Sequence, residues 1–209
     1  MHILLTDDSN GVEQAVAALL EEAGHTVHSC HDGTHPGCAG LRGNRCPLDT
    51  APVDLVVGAG TRARERASLR HEGILCGARR RLPLMFVGVP PEDLLPPWVP
   101  MRTVRSVREL PEAVGQVART PLPVHSALAT ETLREALGRQ GIKSRSATAT
   151  VRRSEGGLQV EVDAPSACNE RQREALAVDL HAAMRDLDPW ASTCDIHFAS
   201  PPAGVRSGT

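Results

Sequence analysis

Along the first 119 residues, short apolar runs alternate with segments whose apolar residues recur at helical spacing, and that alternation leaves few architectures open. The run His2-Ile-Leu-Leu-Thr6 is too short for a helix and reads as a strand buried on both faces. Turn-forming Ser9-Asn10-Gly11 follows, and then Val12, Val16, Leu19, Leu20 and Ala23 fall on one helical face. Asn10 with Glu13 suits a capping-box start, and Gly24 stands where a left-handed C-terminal cap belongs. Extended structure returns at residues 26–30. Further strands are expected at residues 53–57, 84–89 and, interrupted by Pro100, 99–104, with a helix over residues 107–118. Such an order folds as a parallel sheet with crossover helices, an α/β class.

The pattern changes near Pro121. Thr120-Pro-Leu-Pro-Val124 reads as a linker, taken as residues 120–128. A helix is then expected over residues 130–140, strands at 147–153 and 158–162 around a turn at 154–157, a helix at 169–186 and a strand at 193–199. Residues 129–200 thus form a second, smaller αββαβ domain, followed by a frayed tail at 201–209. So few residues make a marginal core, so this domain is expected to lean on the first or on a second copy, as a homo-oligomer. No apolar run approaches the ~20 residues that span a bilayer, and the N-terminus lacks a basic export region, so no membrane partner and a cytoplasmic location are expected. The net charge is only −2, and aromatic residues make up 2% with no Tyr. Base-stacking platforms are therefore nearly absent, and nucleic acid is not an expected partner.

Residues 2–33 resemble the start of a response-regulator receiver domain. They give a strand, the acidic pair Asp7-Asp8, an amphipathic helix ending Glu-Glu-Ala-Gly-His25, a second strand, and His31-Asp32-Gly33. Val53-Asp-Leu-Val-Val57 is similar to that family's third strand and Pro83-Leu-Met-Phe-Val87 to its fourth, so the likeness covers residues 1–119. It implies a flavodoxin-like doubly wound sheet in the order 2-1-3-4-5, with function at the C-terminal edge of the strands. It also implies Mg²⁺ on the acidic pair, a phosphoryl-accepting aspartate closing the third strand, a Ser or Thr after the fourth and a Lys closing the fifth. Here Gly58 or Ala59 stands at the acceptor position, Gly88 at the hydroxyl position and Arg102 near the lysine position, and no lysine precedes Lys143. Neither Gly nor Ala can accept phosphate, so the reading is a degenerate pseudo-receiver. Asp7 and Asp8 are then either helix-capping residues or a Mg²⁺ site for some other enzyme chemistry.

The likeness fails most sharply between the second and third strands, in residues 30–47. Gly37, Gly40, Gly43 and Pro47 break the expected second helix, and Cys30, Cys38 and Cys46 recur as C-x7-C-x7-C with Cys76 further on. Cys30 ends the second strand, and Cys76 is expected in the first turn of the third helix, so four thiols can meet at the functional edge. Four cysteines suit an iron–sulfur cluster or zinc. The wide spacing and Cys46-Pro47 favour a cluster, while zinc could add His31 or His35 as ligands. A thiol redox switch and small buried cysteines without a ligand are the other readings. Cys168 and Cys194 are expected to pack a core, as are Trp98 and Trp190.

Arg62, Arg64, Arg66, Arg70, Arg79, Arg80 and Arg81 cluster around the third helix, opposed by Glu65 and Glu72. They form either a solvated face or a docking region for an acidic protein partner or a phosphate backbone. Nucleotide-binding glycine loops, a nucleophile elbow and a His-Glu-x-x-His helix are all missing from the sequence. The expected function is non-enzymatic: a regulatory protein in which residues 30–46 order or disorder with a bound metal. Its rivals are an adaptor with unliganded thiols and a Mg²⁺-dependent enzyme at the Asp7/Asp8 edge.

Overall fold

The computed structural model describes residues 1–7, 12–31, 38, 40, 43, 45–59, 72–90, 95, 99, 101–155, 157–165, 168–189 and 191–199, with the backbone alone for Asp7. Asp8, Asn10, His35, Arg62, Arg64, Arg66, Arg70, Trp98, Trp190 and the tail lie outside the described residues. The chain divides into two compact units, one made mostly of residues 1–120 and the other mostly of 121–209.

In the first unit, β1 (His2–Asp7), α1 (Val12–Glu22), β2 (Thr26–Ser29), α2 (Pro47–Thr50), β3 (Leu55–Ala59), α3 (Glu72–Arg79), β4 (Leu84–Val87), β5 (Met101–Val104) and α4 (Leu110–Val117) follow in order. The five strands form an all-parallel sheet in the order β2-β1-β3-β4-β5. Central β3 is buried along its whole length, as a strand covered on both faces must be. Side chains alternate across the pleat. Ile3, Leu5, Leu55, Val57 and Met85 face α1 and α4, whereas Leu4, Val56, Leu84 and Phe86 face Ile74 and Ala78 of α3 and Leu48 of α2. α1 closes as its sequence suggests: Gly24 takes φ +83°, its N–H bonds to the Glu21 carbonyl, and the His25 N–H reaches back to Leu20. α3 closes the same way on Arg81, a side chain forced into left-handed φ 56°, with the Leu82 N–H on the Gly77 carbonyl.

Several expectations need correction in this unit. The third strand runs two residues later than residues 53–57, because pairing with β1 sets its register from Ile3↔Leu55 to Asp7↔Ala59. Asp54 precedes it, fully buried, and its carboxylate accepts the His2 N–H at 2.8 Å. Arg102 does not close β5: the strand ends at Val104, and the exposed Arg102 guanidinium donates to Gln116 of α4 at 2.7 Å. Pro47 does not break the second helix but opens the single turn of α2, since a proline at the first helical position lacks only an N–H that would be unpaired there.

The second unit contains α5 (Pro123–Arg139), β6 (Thr148–Ser154), β7 (Gly157–Asp163), α6 (Glu170–Leu187) and β8 (Thr193–Phe198). Its mixed three-stranded sheet has the order β6-β7-β8. Leu133, Leu137, Val151, Leu158, Val160, Leu176, Leu180 and Met184 fill the core, together with Cys168, and Cys194 packs against it. α6 begins with a complete capping box between Asn169 and Gln172. The linker expected at 120–128 is mostly helix instead. Pro123 starts α5, and His125 and Ala129 already lie on its buried stripe. Among the described residues no helix is long and apolar enough to cross a membrane.

Candidate functional site

The four cysteines come from four separate pieces of the first unit. Cys30 follows β2, and its N–H extends the strand ladder to the Leu5 carbonyl at 3.1 Å. Cys38 is held through its own N–H, which donates to the Glu72 carboxylate at 3.3 Å in the first turn of α3. Cys46 is the N-terminal cap residue of α2, and its carbonyl accepts the Asp49 N–H. Cys76 lies on α3 in the second turn, not the first. All four belong to one apolar cluster on the α3 face of the sheet, Cys30 and Cys38 within it and Cys46 and Cys76 packed against it.

Two close approaches create the cluster. A Cβ on Gly73 would lie 2.5 Å from Thr6 Cγ2 and 3.0 Å from Cys30 Sγ, so only a glycine lets α3 settle this near the end of β2. Across the site, the point where Gly40 would carry a Cβ is 3.1 Å from Cys46 Cβ and 3.5 Å from Cys38 Sγ. Arg80 closes the frame from outside. Its guanidinium donates to the Leu48 carbonyl and pairs with Asp49, tying the end of α3, which carries Cys76, to the turn that carries Cys46.

The sulfurs of Cys30 and Cys38 are 3.9 Å apart and hydrogen-bonded. Burial pushes the Cys30 thiol strongly up, and Cys38, then Cys46 and Cys76, push it further. The Cys76 thiol is raised by burial and then by Cys38 and Cys46, while Arg79 and Arg80 pull the other way. Burial among other thiols thus disfavours the thiolate form at Cys30 and Cys76. With Zn–S bonds of about 2.3 Å, two thiolates at adjacent corners of a tetrahedron stand about 3.8 Å apart, close to the Cys30–Cys38 separation. As they stand, no group of three or more His, Cys, Asp or Glu side chains among the described residues is arranged to hold a metal ion.

The other candidates fare unequally. His31 directly follows Cys30, and its backbone N–H bonds to the Ser29 hydroxyl at 3.1 Å. Asp7 closes β1 opposite Ala59, so the third strand offers no carboxylate at that edge, and Asp54 sits at the far end. Of the arginine cluster, Arg80 is committed to the clamp on α2. Glu72, Gly73 and Arg80 are site-building residues that spacing alone did not single out, though glycines at 73 and 77 on one face of a short helix signal close packing. The fold and site together define an α/β protein with a five-stranded parallel sheet and a cysteine cluster where the second crossover passes. No family model matches the chain, and no curated protein matches it significantly.

Proposed function

We propose that residues 1–119 are a receiver-like, flavodoxin-type regulatory domain that has exchanged phosphoryl transfer for a metal held by Cys30, Cys38, Cys46 and Cys76. The observation that carries this reading is the gathering of four thiols, distant in sequence, into one cluster with two sulfurs 3.9 Å apart. That separation suits two thiolates on a single metal atom, as zinc or a two-iron cluster provides. A four-iron cubane, with one cysteine per iron, spaces its sulfurs more widely. Ligation would offset the charge of buried thiolates and hold the glycine-rich segment between Cys30 and α2, a composition with little helical propensity. Gain or loss of the metal would then be the signal, read by a protein partner at the Arg62–Arg81 region or by a second copy of the chain. A second reading, an adaptor with unliganded thiols, draws support from the apolar surroundings of Cys30 and Cys38, which are 1% and 5% exposed.

The test is metal analysis and visible absorbance of the full chain prepared without oxygen. Bound iron or zinc is expected, lost in Cys38→Ser and Cys46→Ser with increased proteolysis between residues 30 and 47, and unaffected in Cys168→Ser. A cluster absorbs in the visible and zinc is silent. Less than about a tenth of an equivalent of any transition metal, with proteolysis unchanged in the variants, would leave the adaptor reading.

A further inference from the structure

The same cluster contains a pair with chemistry of its own. Cys30 and Cys38 sulfurs are in contact at 3.9 Å, whereas a disulfide needs about 2.05 Å. Their approach by about 2 Å is asymmetric in what must move. Cys30 is anchored by the strand ladder, and α3 packs closely against its sulfur at Gly73. Among the described residues, Cys38 is held by a 3.3 Å hydrogen bond from its N–H to Glu72, and Gly37 and Gly40 stand near it in sequence. Only eight positions separate the two, so closing the loop costs little chain entropy.

We propose that Cys30 and Cys38 are a redox couple, closed to a disulfide by peroxide-class oxidants, and that closure withdraws two of the four sulfurs and so releases the metal. The release step rests on the metal-binding reading above; the disulfide does not. Cys38, the less buried of the two, reacts first. Its sulfur attacks a peroxide oxygen, the O–O bond breaks, and the products are a Cys38 sulfenic acid and one water. The Cys30 sulfur then attacks the Cys38 sulfur, the S–S bond forms as the S–O bond breaks, and the oxygen leaves as a second water carrying the Cys30 proton. The two sulfurs lose two electrons and hydrogen peroxide accepts them. Cys46 and Cys76 remain as two thiols on α2 and α3, too few to retain a tetrahedral ion.

The experiment uses the full chain in two forms, metal-free and zinc-loaded, each exposed to hydrogen peroxide, alkylated and mapped without reduction. The metal-free chain should yield one dominant cross-link, Cys30 to Cys38, that dithiothreitol reverses. It should survive in Cys46→Ser and vanish in Cys38→Ser, the less buried partner and so the safer variant for folding. In the zinc-loaded chain a chromogenic indicator should register zinc release in step with that cross-link. Dominant links to Cys46 or Cys76, or sulfinic acid without a link, would overturn the couple. Zinc that binds and then leaves without the cross-link would overturn the release step. A chain that forms the cross-link yet never takes up zinc or iron would keep the couple and sink the metal reading.

Discussion

Gly73 and Gly115 are both helical glycines, and the space around them reverses what an added methyl does. Alanine is the better helix former by about 1 kcal/mol. At Gly115 on α4, and likewise Gly138 on α5, nothing lies within 4 Å of the new Cβ, so Gly115→Ala and Gly138→Ala should each stabilise by roughly 0.5–1 kcal/mol. At Gly73 the Cβ would overlap Thr6 Cγ2 at 2.5 Å and press on the Cys30 sulfur at 3.0 Å. Overpacking of about 1–3 kcal/mol outweighs the propensity gain there, so Gly73→Ala should lose stability and loosen the cysteine cluster. Urea midpoints of the three variants against the parent chain check this. A stabilised Gly73→Ala would mean that α3 does not rely on that close approach.

At the scale of elements, the second unit shows how an edge strand is kept from pairing. β6 lies at the edge of its sheet, and α5 answers its free backbone groups with a polar stripe at four-residue spacing. The Ser126 hydroxyl accepts the Val151 N–H at 2.9 Å, the Thr130 hydroxyl accepts the Ala149 N–H at 3.0 Å and donates to the Ala149 carbonyl, and Arg134 Nε donates to the Ala147 carbonyl. This covers one edge of the sheet and leaves β8 as the other edge. Ser126→Ala with Thr130→Val should strip two buried N–H groups of their acceptors, at about 1–3 kcal/mol each. Denaturant unfolding should show the loss, and sedimentation should show new self-association through the uncovered edge. A double variant as stable and as dispersed as the parent would mean the stripe is not what protects β6.

For the whole molecule, the order of strands places every β-strand C-terminus of the first unit along one edge, and what stands there decides the chemistry. β3 delivers Ala59, fully buried, while the nearest carboxylate in that stretch, Asp54, is engaged with His2 at the opposite end. Incubation with acetyl phosphate and Mg²⁺ should therefore give no hydroxylamine-sensitive adduct, and one on Asp7, Asp8 or Asp54 would overturn the pseudo-receiver reading. By itself the sequence determined the alternation of strands and helices, the cap at Gly24, the αββαβ order of the second unit and the absence of a carboxylate closing the third strand. These are local matters of periodicity, cap chemistry and residue identity, written within a few neighbouring positions. Register, helix starts and the meeting of the cysteines were decided by the tertiary structure. Pairing with β1 moved β3 by two residues, the buried stripe of α5 drew a proline-rich stretch into a helix, and the missing side chain of Gly73 let α3, with Cys76, pack against the cluster that holds Cys30. Each of these depends on what another segment presents across the fold, a fact that no single stretch of the chain contains.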